Sequence, residues 1–266
     1  MNEYFKIAGI VVFISLLLSA PALSDTGVRL NVGLSHISYG DYNDFIDIAN
    51  EDLAVYNVEL ENLNWVPEVQ GEIMYSPFPM ITAGFGAGII YGSADLSTDI
   101  LGEYKHDVRV YPITVTAYFK PSLPLMPIKP YIYAGAGMYY SKLTFSVNID
   151  QVSSGWESTD LTKTGFGLHG GAGLEFSIMP LLSLQIGVQG RWADIKGFEG
   201  TGTDLDGNET DVFLISDDEV EIPVGGGGTV TGPAYGPWSK NDKDEYDEGS
   251  LDLSGYGFIV GLKLSF

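Results

Sequence analysis

Residues 255–266 read GYGFIVGLKLSF, and every second residue counted back from the end is large and apolar: Phe266, Leu264, Leu262, Val260, Phe258 and Tyr256. Between them stand Ser265, Lys263, Gly261, Ile259, Gly257 and Gly255. Successive side chains leave a strand on opposite sides, so strict alternation marks a strand whose two faces meet different surroundings. The apolar face lasts about 11 residues, the length of a tilted strand crossing a bilayer. Ends of soluble domains usually fray into water, so an alternation that runs to the last residue asks for a different explanation.

Seven further stretches repeat the pattern. Val28–Tyr39 puts Val28, Leu30, Val32 and Leu34 opposite Arg29, Asn31, Gly33 and Ser35. Val66–Tyr75 sets Val69, Ile73 and Tyr75 against Glu68, Gln70 and Glu72. In Ile81–Gly92, Ile81, Ala83, Phe85, Ala87, Ile89 and Tyr91 face away from Thr82, Gly84, Gly86, Gly88, Ile90 and Gly92. Val108–Phe119, Tyr131–Leu143, Gly165–Phe176 and Leu182–Ala193 behave alike, which makes eight strands with the terminal one. The connections alternate in length. Residues 76–80, 120–130 and 177–181 are short and contain proline, which stops pairing and sets turns. Residues 40–63, 93–106, 146–163 and 195–251 are expected to be long loops.

Composition narrows the class. Thirty-four glycines, 16 tyrosines and 13 phenylalanines stand against 13 Lys plus Arg. A net charge of -22 argues against a nucleic-acid partner, whose phosphates would be repelled. With no cysteine there is no disulfide and no thiolate metal site. The first residues, MNEYFKIAGIVVFISLLLSAPALSD, place Lys6 before an uncharged stretch and small residues at Ala20, Ala22 and Ser24. That layout predicts a secretory signal peptide over 1–24 and a mature domain over 25–266; an anchor helix is disfavoured by the short apolar core.

A soluble sandwich or barrel would turn its second face to water and fill it with Lys and Glu. Here that face is rich in glycine, which suits the inside of a narrow barrel where eight strands leave room only for side chains. Tyr75, Phe119 and Phe176 lie beside the short turns, and Tyr91, Tyr140 and Trp192 toward the long loops. Two aromatic girdles around an aliphatic band are expected where a barrel meets both membrane interfaces. The expected fold is all-β, an eight-stranded antiparallel transmembrane barrel with short periplasmic turns and long extracellular loops.

The stretches YPITVTAYF (111–119), PYIYAGAGMYY (130–140) and GFGLHGGAGLEFSIMPLLSLQIGVQGRW (165–192), with terminal Phe266, resemble the small Gram-negative outer-membrane barrel superfamily of OmpA, OmpX and OmpW type. The resemblance implies an outer-membrane location. It also implies that Phe258, Val260, Leu262, Leu264 and Phe266 form the signal read by the barrel assembly machinery, with no periplasmic domain after the barrel.

Candidate site residues lie on the inner face: Glu68, Glu72, Arg109, His169, Glu175, Gln185, Gln189, Arg191 and Lys263. Buried charges need partners, so these are expected either to plug the lumen as a salt-bridged network or to line a polar pore. His36 and Ser38 are placed as in an outer-membrane lipid deacylase of eight strands, with serine as nucleophile and histidine as base; a polar strand end is the plainer reading. Residues 40–63 carry seven acids and no Lys or Arg, and 196–252 carry fifteen acids against Lys196, Lys240 and Lys243. In TDLDGNETD (203–211), Asp204, Asp206, Asn208 and Asp211 are weak metal candidates, since the glycine is misplaced for an EF-hand. The glycine run 224–232 reads as a linker, and 211–215 with 220–224 as a hairpin above the membrane. No cofactor is expected. Expected partners are outer-membrane lipid and lipopolysaccharide, and a ligand at the loops. The reading is a structural or surface-contact barrel, with a narrow OmpW-like channel for small or hydrophobic solutes as the alternative and a lipid-modifying enzyme as a remote one.

Overall fold

The computed structural model describes residues 26–41, 43, 64–98, 102–121, 128–148, 156–204, 207–224, 228–239 and 248–266. The expected signal peptide, most of the 40–63 loop and Asp206 lie outside them. Eight strands form a closed antiparallel ring: β1 (Thr26–Ile37), β2 (Trp65–Phe78), β3 (Ile81–Thr98), β4 (Gly102–Phe119), β5 (Ile128–Asn148), β6 (Trp156–Met179), β7 (Leu182–Trp192) and the last strand, β13 (Gly255–Ser265). Each pairs with the next, β7 pairs with β13, and β13 closes onto β1 with Leu264 opposite Val28 and Phe258 opposite Leu34. The short turns share one end with Thr26 and Phe266, whose backbone N–H donates to the Thr26 carbonyl at 2.8 Å. Closure removes the unpaired edge that hydrocarbon cannot satisfy.

Around the ring the outward residues are bare. Leu30, Phe85, Val115, Ile132, Leu174, Val188, Phe258 and Leu262 are all exposed. An apolar belt this continuous has no place on a soluble monomer and fits a lipid-facing band about 25 Å tall. Its rims are aromatic, Trp65, Tyr111, Tyr140, Trp192 and Tyr256 on the long-connection side and Tyr75 and Phe119 on the other. No described helix is long and apolar enough to cross a membrane; the strands do the crossing.

The inward glycines do not leave a void. Tyr131 and Tyr133 of β5 stand beside Gly173 and Gly171 of β6 in the ladder, so they come from the neighbouring strand. A Cβ on Gly173 would sit 2.5 Å from the Tyr131 ring, and one on Gly171 2.8 Å from that of Tyr133. Small residues on one strand thus create the space that tyrosines on the next one fill.

Beyond the belt the structure departs from the expected loops. Residues 93–98 and 102–106 continue the β3–β4 ladder up to Thr98 opposite Gly102, and Glu103 pairs with Asn148 on β5. Where a loop over 195–251 was expected, residues 194–252 carry β8 (Asp194–Lys196), β9 (Glu199–Asp204), β10 (Glu209–Val224), β11 (Gly228–Ser239) and β12 (Ser250–Asp252). The stretches 211–215 and 220–224 are one strand, β10, whose hairpin partner is β11. Residues 228–232, read as linker, belong to β11. Its β-branched residues and backbone pairing outweigh the glycines. Of residues 203–211, Thr203 and Asp204 end β9 and 209–211 begin β10, with Thr203 opposite Glu209 and Gly207 in the left-handed region at φ 80°. Asp204 ends β9, while Asn208 and Asp211 are exposed.

Replacing Gly173 by Val should cost about 1–3 kcal/mol through overpacking, read as a lower urea midpoint for the barrel in bilayers. Ala172→Val, pointing to lipid, should leave the midpoint nearly unchanged.

Candidate functional site

The lumen holds the chemistry. Near the short-turn end, Arg29 on β1 lies in register with Glu72 on β2 and Lys263 on β13. Its guanidinium pairs with Glu72 at 2.5 Å, donates to Gln185 Oε1 on β7 at 3.0 Å, hydrogen-bonds the Tyr118 hydroxyl and stacks 4.7 Å over that ring. Tyr118 on β4 in turn donates to Glu72 at 2.8 Å. Glu175 on β6 gathers Lys120 at 2.9 Å, Gln185 at 2.8 Å and Lys263 at 3.9 Å. Arg29–Glu72 and Gln185–Glu175 are rungs between neighbouring strands, while the bonds of Arg29 to Gln185 and Tyr118, of Tyr118 to Glu72 and of Lys263 to Glu175 reach past a strand into the ring.

Higher up, Glu68 on β2 accepts from Arg191 on β7, from Gln189 and from Ser35, each at 2.8 Å. Between the two levels Gln70 donates to Thr114 and Thr116 meets His169 at 2.9 Å. Arg29, Glu68, Glu72, Glu175, Arg191 and Lys263 are all buried. Taking such ions out of water is costly unless each is paired and further hydrogen-bonded, and here each carboxylate collects at least two donors.

Above Glu68 the filling changes from polar to apolar. Arg191 lies 5.7 Å from the Tyr139 ring centre, and Tyr139 belongs to a buried cluster with Val66, Val108, Leu143, Leu161, Ile195, Phe198 and Leu251. Inward residues from the extended β2–β6 thus pack against β8, β10 and β12, which fold over the mouth. Just past β1, Tyr39 and Gly40 are both at positive φ (56° and 50°), Tyr39 joins the buried cluster, and its N–H donates to the Asp252 carbonyl. In this cap, above the belt, His106 stacks on Phe145 at 4.4 Å, and burial pushes its imidazole down to about 3, so it sits there neutral.

Of the inner-face residues expected from sequence, Glu68, Glu72, His169, Glu175, Gln185, Gln189, Arg191 and Lys263 point inward. Arg109 does not. It shares its parity with Tyr111 and Ile113, stands on the outside of β4 with its side chain 45% exposed, and meets Asp107 at 3.5 Å. The cation that partners Glu72 is Arg29, which sequence reasoning placed on the inner face without a role. Tyr118 and Lys120 were missed as partners; Tyr118 shares the parity of Thr114 and Thr116, which was the available signal. His36 lies on the outer face, stacked on Tyr256 at 5.0 Å and edge-on to Trp65 at 5.3 Å. Among the described residues no hydrogen bond joins it to Ser38, and no group of three His, Cys, Asp or Glu is arranged to hold a metal.

Comparison with known proteins follows the same architecture. The family described as "Outer membrane protein beta-barrel domain" matches residues 9–214. The fold is similar to a major outer membrane protein from Thermus thermophilus, at TM-score 0.51 and 11% identity over 91% of this chain and 99% of that one. It also matches OprG from Pseudomonas aeruginosa (0.48, 11%, 92% and 96%) and Neisserial surface protein A (0.46, 9%, 91% and 97%). At these identities the likeness concerns fold alone. Among curated proteins none matches the sequence.

Arg29→Met or Glu72→Gln alone should destabilise the barrel by about 3–5 kcal/mol, because each strands a buried partner, while the double substitution should cost less than either. Urea unfolding of the three variants in one lipid checks this.

Proposed function

Because the chain belongs to the outer-membrane protein β-barrel domain family, we propose that it works as a closed barrel of structural and surface-contact type. The observation that carries this reading is the stacked filling of the lumen, with the buried ion pairs Arg29–Glu72, between neighbouring strands, and Arg191–Glu68, across the ring, beneath the apolar cap around Tyr139 and Leu251. A conducting porin keeps water along its axis; here an ion would have to break two buried ion pairs and then cross a layer of aliphatic side chains. What the barrel offers outward is the sheet of β9, β10 and β11, and the acidic composition of 40–63 and 196–252 suits a cationic partner or divalent ions between lipopolysaccharide molecules. In this reading residues 1–24 are the export signal of a Gram-negative protein, and the Phe258–Phe266 face of β13 addresses the barrel assembly machinery.

The second reading, lateral passage of hydrophobic solutes, is favoured by one feature. β6 pairs with β7 only as far as Leu168–Trp192 and with β9 only from Thr162 onward, so residues 163–167 have no strand on that side. Gly165 and Gly167 there abut Ile195 and Ala193, which fill the seam. Opening it would require β8 to swing away.

The full chain refolded into planar bilayers should be electrically silent, with heat-modifiable gel migration proving that it folded. Discrete ohmic openings from the folded protein would overturn the closed-barrel reading.

A further inference from the structure

We propose that the outer face of β4, β5 and β6 holds one phosphorylated, multiply acylated glycolipid of the outer leaflet, its phosphate on Arg109 and Lys142 and an acyl chain in the groove below them. Arg109 and Lys142 are register partners on adjacent strands, one outward step above Tyr111 and Tyr140, which are also partners with rings 6.1 Å apart. Two cations above two tyrosines at the rim of the belt stand at headgroup height, where basic side chains meet lipid phosphate and tyrosines mark the interface.

This spot gathers cations in a strongly acidic chain. Lys105, Arg109 and Lys142 point outward here and are offset by two carboxylates, Asp107 and Asp160. Asp95 of β3 stands in register with Lys105, so the patch is balanced in a chain of net charge -22, and Arg109 and Lys142 are its adjacent cation pair. Asp107 is held by the Tyr91 hydroxyl at 3.1 Å and reaches Arg109 only at 3.5 Å and Lys105 at 4.0 Å. The guanidinium therefore keeps donors for a bidentate anion. Among the described residues no other pair of lipid-facing cations stands in register at this rim.

Directly beneath, the outer face is grooved. Along β5 the outward residues shrink from Tyr140 and Met138 to Ala136, while Ile113 and Val115 on one side and Phe166, Leu168 and Trp192 on the other stand proud. Phe166 is 79% exposed. The furrow starts under the cation pair and runs along the same strand, so one amphiphile satisfies both parts. The leaflet follows from the long connections between strands being at this end of the barrel. In the outer leaflet of this membrane the phosphate-bearing, multiply acylated lipid is lipid A. The site does not depend on whether the lumen conducts.

The test is native mass spectrometry of the full chain in detergent, titrated with bisphosphorylated lipid A, with its dephosphorylated form and with phosphatidylglycerol. A 1:1 lipid A adduct is expected. It should weaken about 30-fold in Arg109→Gln/Lys142→Gln, at roughly fivefold per cation, weaken also in Ala136→Leu, which fills the furrow, and persist in Lys196→Gln. Heat-modifiable migration certifies the fold of each variant. Equal retention of phosphatidylglycerol would overturn the assignment to lipid A, and unchanged binding by the double variant or by dephosphorylated lipid A would overturn the site.

Discussion

A strand in hydrocarbon has nothing outside itself to bond its backbone, so β1 must end up beside β13. That closure dictates the rest. Eight strands enclose a space wide enough for side chains only, so every inward residue is fitted against residues from other strands. Gly173 is small because Tyr131 is large, and Glu72 is tolerated because Arg29, Tyr118 and their neighbours meet it within the same layer.

One strand displays how the barrel changes character along its axis. On β4 the outward series runs Lys105, Asp107, Arg109 and then Tyr111, Ile113, Val115; the inward series runs His106, Val108, Val110 and then Pro112, Thr114, Thr116. Below the tyrosine the strand is apolar outside and polar inside, as lipid demands. Above it the pattern inverts, and the extension packs an apolar core under a polar surface as a water-exposed sheet does. The inversion is the physical origin of the cap. The same strands that span the membrane carry a conventional hydrophobic core on top, and that core lies over the buried ion pairs and shields them.

Much of this was legible in the sequence. The eight alternating stretches, the proline-containing short turns and the aromatic rims give the ring and its orientation, since period and turn chemistry are local signals. The cap was not foreseen, because the alternation was followed only where apolar residues face outward. Past Tyr111 and Tyr140 the apolar residues change sides, and the stretches around His106 and Phe145 then read as loops. Arg109 was misplaced for the same reason: an outward arginine looks wrong for a lipid-facing row until the row is seen to have left the membrane. Arg29 pairing with Glu72 rests on cross-strand register, which one sequence does not reveal.

The central claim is that the lumen is sealed between its buried ion pairs and its apolar cap. A chain without cysteine allows a background-free accessibility measurement with a membrane-impermeant thiol reagent. Thr114→Cys, buried in mid-lumen, should remain unlabelled in the folded barrel while exposed Ser38→Cys reacts freely. Labelling of Thr114→Cys at a rate comparable to Ser38→Cys would mean that water and solutes reach the middle of the barrel, and would contradict the account.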